Sequence, residues 1–160
     1  MFIPSPVQNN MKTNVDIDFL LKLKKTKDEF LAGKYRYILL SAMDDVIKDG
    51  KSLPCLIRND DASLNMIVVF KNKEETKKYC RKNKLRLPDG GFPIGLLPQS
   101  KRELAHMLLS CIFYGTDVVA MAEDGNLFVH DALRITQLLE VPLRACMFRE
   151  PVDAIEMLQE

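Results

Sequence analysis

The chain has 160 residues, 47% hydrophobic and 28% charged, with seven glycines and a formal net charge of +1. That length fits one domain able to bury about two-thirds of its unfolded surface, and the composition excludes disordered and fibrous classes. The even charge balance gives no global pull toward nucleic acid or an anionic surface, so any such role has to rest on a local cluster.

Residues 1–13, with Pro4, Pro6 and an Asn pair, read as a loose arm before a single domain over 14–160. From Asp16 to Ala32 the apolar residues Phe19, Leu20, Leu23, Phe30 and Leu31 recur at helical spacing, and lysines fill the other face. Gly33 stands where a left-handed C-terminal cap belongs, so the pattern predicts an amphipathic helix over 16–32.

The period then changes. "YRYILLSAM" (35–43), "LPCLIR" (53–58) and "LNMIVVF" (64–70) are short runs rich in Ile, Val, Leu and Tyr. "DDVIKDGKS" and "NDDAS" separate them with turn residues, which predicts three sequential antiparallel strands in a meander. After Phe70 the helical period returns. Asn72 with Glu75 has capping-box spacing, Thr76, Tyr79 and Cys80 form the inward stripe, and a helix is expected over 73–83. "LPDGGFPIGLLP" reads as a linker to a second box, Ser100 with Glu103. The helix it opens, 100–114, is apolar on more than one side and stops at Gly115, as a central, well-covered helix would.

"DVVAMAEDGNLFVHDALRITQLLE" compresses a strand at 117–122, an Asp124-Gly125 turn, a strand at 127–130 and a helix capped by Asp131. "LRACMF" is expected as a last edge strand, with a short final helix opening at Pro151. The fold class expected is α+β: a mostly antiparallel or mixed sheet of about five strands covered by three to four helices.

The four cysteines, Cys55, Cys80, Cys111 and Cys146, lie more than twenty residues apart and suit no zinc site. Three sit in apolar strings, as reduced core cysteines do. The N-terminus has no basic segment leading into an apolar one, and no apolar stretch approaches the ~20 residues of a membrane span, so a cytoplasmic protein without membrane contact is expected.

Each histidine stands alone. His106 has only Glu103 at helical reach, half of a carboxylate metal site whose second copy the chain lacks, and it reads as a boundary histidine. His130, beside the Asp131 cap, is the one position around which a small-molecule or enzymatic site is conceivable, yet no nucleophile is marked out for it. There is no G-x-S-x-G. The glycines of "DGGFPIG" match neither the dinucleotide fingerprint nor the P-loop, and its prolines remove donors that a phosphate nest uses. "MDD" and "NDDAS" lack the calcium-loop pattern. Nothing calls for a cofactor or metal.

One polar concentration remains. From Lys71 to Arg86 eight cations face two carboxylates, whereas residues 116–160 hold nine carboxylates against three arginines, so the chain is polarised along its length. Lys77, Lys78, Arg81 and Lys82 form the basic face a partner would meet. For nucleic acid one also wants stacking aromatics, and the nearby Tyr79 belongs to the inward stripe.

"KYRYILLSAM", "SLPCLIR" and "NMIVVFKNKEETKKYCRK", followed by "ELAHMLLSCIFYGTDVVAMAEDGNLFVHDALRITQLL", resemble the N-terminal-type domain of SseB-like (enhanced serine sensitivity) proteins over roughly 34–139. The chain departs from that pattern at "AMAEDG", where the family usually has Asn-Pro-like residues. The resemblance implies a small α/β domain without established catalytic residues. The function expected is therefore that of a non-enzymatic domain with a protein partner, homo-oligomers included. Nucleic-acid binding through helix 73–86 is the alternative, and a site around His130 a second one.

Overall fold

The computed structural model describes residues 6–41, 51–52, 54–59, 63–142, 155–156 and 158. Helix α1 (Pro6–Leu31) is followed by strands β1 (Tyr37–Leu39), β2 (Lys51–Ser52), β3 (Ile57–Asn59) and β4 (Leu64–Phe70). Helix α2 (Lys73–Lys82), strand β5 (Ile94–Leu96) and helix α3 (Lys101–Phe113) come next. Hairpin β6 (Val118–Glu123) and β7 (Asn126–Asp131), helix α4 (Ala132–Leu138) and strand β8 (Ile155–Glu156) complete the order.

The helix ends form where the sequence signals them. Asn72, Ser100 and Asp131 each accept the backbone N–H three residues on, at 2.7, 3.0 and 2.8 Å. These bonds satisfy donors that a helix start leaves orphaned. Gly33, at φ +80°, closes α1 with a paired arrangement in which its N–H donates to Phe30 and that of Lys34 to Glu29. The start of α1 differs from expectation: helix begins at Pro6, a residue well suited to a first turn, so 6–13 are helical rather than a loose arm.

The result is an α+β fold on a mixed sheet in the order β5-β1-β4-β6-β7, with β3 also on β4. The expected meander does not form. β1 pairs with the Val69–Phe70 end of β4 and β3 with its Leu64–Met66 end, so both lie along one edge of the longer strand. A Leu40–Pro54 bridge joins them. A seven-residue strand has room for two three-residue partners end to end, and this leaves its other edge free.

β6 takes that edge, parallel to β4, after the chain has crossed through α2, β5 and α3. A parallel pair with helices over both faces is buried throughout, which is why Ile67–Phe70 and Val118–Ala122 are unbroken apolar runs. The "linker" also holds a strand: Ile94–Leu96 pairs with β1. Its three residues around Gly95 are too short to show a period. Of the short helix expected from Pro151, residues 151–154 lie outside the described residues, and residues 155–156 form a strand on Lys51–Ser52 instead. The edge strand expected at 143–148 lies outside the described residues.

Alternation along β4 and β6 builds two cores. Ile67, Val69, Val119 and Met121 point to one face, beneath α1 (Phe30), α3 (Met107, Leu108) and α4 (Ile135). Val68, Phe70, Ala120 and Ala122 point to the other, where Cys80 of α2 meets Ile94 and Leu39. As expected, α3 is broadly covered, with Leu104, Ala105, Met107, Leu108 and Cys111 all buried.

Candidate functional site

Helix α2 carries the sequence's basic run, and its inward stripe decides where the cations go. Thr76 and Cys80 are buried against the sheet, and the Tyr79 ring tilts onto Phe70 with 5.4 Å between centroids. The four residues of the basic face therefore split into two groups. Lys77 and Arg81, joined by Arg86, surround the Phe92 ring at 5.9, 5.4 and 4.0 Å from its centroid. A short turn sets this up: Gly91 N–H donates to Asp89, and Arg86 donates to the Gly90 carbonyl. These three cations sit over an aromatic face.

Lys78 and Lys82 turn the other way, both exposed, into a groove of about 470 Å³. Phe70, Glu75, Tyr79 and Asn83 share that wall, and the far wall is Ala122 with the start of β7 (Gly125, Asn126, Leu127). The groove lies between α2, packed over β1 and β4, and the start of β7. The small side chain of Ala122 on the far wall leaves room for it. It lies at the carboxyl ends of the parallel pair, where open sheets tend to place ligand sites. Glu75 is occupied locally, since its Oε2 accepts from the Asn72 side chain.

His130 is not part of this groove. It faces α1, half-buried, with Nε2 3.0 Å from the Thr26 hydroxyl, which itself donates to the Leu23 carbonyl. Thr26 then accepts from His130, as a neutral imidazole protonated on Nε2 allows. Burial, and secondarily Lys27, hold the His130 pKa below its ordinary value. The ring thus stitches a helix to the sheet. His106 sits half-buried on α3.

Burial pushes the Cys111 thiol up to about 12. It likewise takes Cys80 up to about 11, with Arg86 opposing it, so neither is a thiolate nucleophile at neutral pH. Among the described residues, no three His, Cys, Asp or Glu side chains group as metal ligands would, and no helix is long and apolar enough to cross a membrane.

The sequence reading missed a second charged constellation. Glu123, 5% exposed at the end of β6, receives Lys25 of α1 at 2.7 Å and Lys71, which directly follows β4. Lys71 also reaches Glu29 at 3.1 Å, and its ammonium lies over the Tyr35 ring, whose hydroxyl donates to the Ala122 carbonyl. Burial raises the Glu123 pKa, but the hydrogen bonds and charges of Lys25 and Lys71 outweigh it and leave the carboxyl below its usual range. Burial works against the Lys71 charge, and Glu123 and Glu29 overcome it, so its pKa is raised. These partners are 42 and 98 positions apart in the chain, a distance over which spacing carries no signal. Their role is to pin α1 to the carboxyl ends of β4 and β6.

Comparison with protein-family models, with curated proteins and with solved structures finds no match to this chain.

Proposed function

We propose that the protein is a non-enzymatic domain that works through protein–protein contact, with the groove beside α2 receiving an acidic segment of its partner. The observation that carries this is the pairing of two exposed lysines, Lys78 and Lys82, with the apolar floor of Ala122 and Leu127 in one open groove. Protein interfaces combine a desolvated apolar centre with a charged rim, and the rim charge selects the partner's sign. A phosphate backbone calls for a longer cationic track with free aromatic rings. In this chain Lys77, Arg81 and Arg86 gather on Phe92 instead, and Tyr79 leans on Phe70. The resemblance to SseB-like proteins, which implies no catalytic residue, agrees with this reading.

Fluorescence polarisation tests it, with acidic peptides and with single-stranded RNA and DNA as probes over a series of salt concentrations. Acidic peptides are expected to bind, and the Lys78→Glu, Lys82→Glu double variant to lose them. Nucleic acid binding with a steep salt slope, and no peptide binding, replaces the reading with its rival.

A further inference from the structure

Strand β7 ends the sheet, and its outer edge sits between two grooves. The two-residue Asp124-Gly125 turn, with both φ positive at +50° and +80°, sets the hairpin register, and six unbroken pairs follow from Glu123–Asn126 to Val118–Asp131. In such a hairpin the residues that bond to the neighbouring strand alternate, starting at the pair that closes the turn. Asn126, Phe128 and His130 therefore spend their backbone groups on β6, while Leu127 and Val129 point theirs outward. Among the described residues no strand pairs with that edge. Several common protections are missing as well: β7 holds no lysine or proline, and its continuous register leaves no bulge.

Asn126 and Leu127 line the basic groove on the α2 face. They also line a second groove, of about 380 Å³, on the α1 face with Asp18, Phe19, Lys22 and Phe128. The start of β7 is thus the ridge between the two. A strand laid along this edge sends alternate side chains to opposite faces, one set toward Lys78 and Lys82, the other toward Phe19 and Phe128.

We propose that the partner's segment binds by adding a strand to the β7 edge. Its main chain pairs with Leu127 and Val129, and acidic side chains facing α2 alternate with apolar ones facing α1. This rests on the groove reading above and specifies how the groove is used. A second copy of this chain is the poorer occupant. Antiparallel β7–β7 pairing runs about a dyad normal to the sheet, which sets the Lys78 and Lys82 pairs of both copies along the same side of the seam.

The probe is an alternating Glu-Val octapeptide, with a twin N-methylated on the amides of one edge. Hydrogen exchange by NMR and fluorescence polarisation supply the readouts on the full chain. Strand addition predicts that the peptide slows exchange of the Leu127 and Val129 amides, and that the methylated twin binds about tenfold or more weakly. Val129→Pro, which removes an outward N–H and no bond to β6, is expected to match that loss, while Val129→Thr binds normally. The twin, tested on the unaltered protein, decides the matter even where the proline variant folds poorly. Equal binding of both peptides, lost in the Lys78→Glu, Lys82→Glu variant, overturns strand addition and leaves the groove reading standing. Binding of neither peptide overturns both. A concentration-dependent dimer that Val129→Pro dissolves overturns the acidic partner in favour of a second copy.

Discussion

On one face of the central sheet Ile67, Val69, Val119 and Met121 disappear beneath three helices; on the other Val68, Phe70, Ala120 and Ala122 meet α2, a helix of ten residues. Both faces come from alternate positions of the same two strands. The first is closed by long side chains and sealed at its rim by the Lys25–Glu123–Lys71–Glu29 ion pairs. The second is covered by α2 over β1 and β4, and the groove holding the exposed Lys78 and Lys82 runs between that helix and the start of β7. The two faces thus differ in what covers them: three helices and a rim of ion pairs on one, a ten-residue helix with a groove beside it on the other.

The largest test of that division is Phe30→Ala. Phe30 is 1% exposed in the α1-side core, and its truncation is expected to cost roughly 3–5 kcal/mol in chemical denaturation followed by circular dichroism. Tyr79→Ala, removing a half-buried ring on the other face, should cost roughly 1–2 kcal/mol. Equal losses would mean that the faces share the work of folding.

Glu123→Gln comes next, at roughly 1–3 kcal/mol, because it leaves Lys71 partly buried against an uncharged amide. It also has a pH signature. The Glu123 pKa is depressed in the folded state, so its contribution is present above its ordinary value of 4.5 and is lost as pH falls through the folded value. The wild type should therefore lose stability in acid more steeply than the variant. Parallel curves would show that the ion pairs add nothing to the rim.

The double variant Lys78→Glu, Lys82→Glu should change stability by no more than about 0.5 kcal/mol, since both side chains are exposed. A larger loss would make the groove part of the fold's support. The smallest effect concerns His130. With its folded pKa depressed, the unfolded chain takes up the proton first as pH falls through about 6.5, and stability declines until the folded form is protonated too. That shallow slope should vanish in His130→Asn; a slope that persists assigns it to another group.

Much of this was legible before any fold was known. Capping residues act over three or four positions, and Asn72, Ser100, Asp131 and the Gly33 stop all stand where their spacing placed them. The strand at 64–70 and the 73–83 helix, ending at Lys82 in the fold, were equally local. The basic face was recognised as a cluster, but not its division. Whether a lysine meets Phe92 or a groove depends on how α2 sits on the sheet, and the turn at Asp89–Gly91 is not written into α2.

By itself, then, the sequence determined the elements governed by short-range terms: helix caps, hairpin turn, apolar period and the α+β class. Tertiary structure alone decided the rest. The parallel pairing of β4 with β6, the two short strands sharing one edge of β4, and the ion pairs around Glu123 join residues separated by tens of positions. Such pairings are selected by shape, burial and charge once the chain has closed on itself, and no local spacing encodes them. The groove belongs to this second class, because it lies between α2 and the start of β7, which only the packed fold brings side by side.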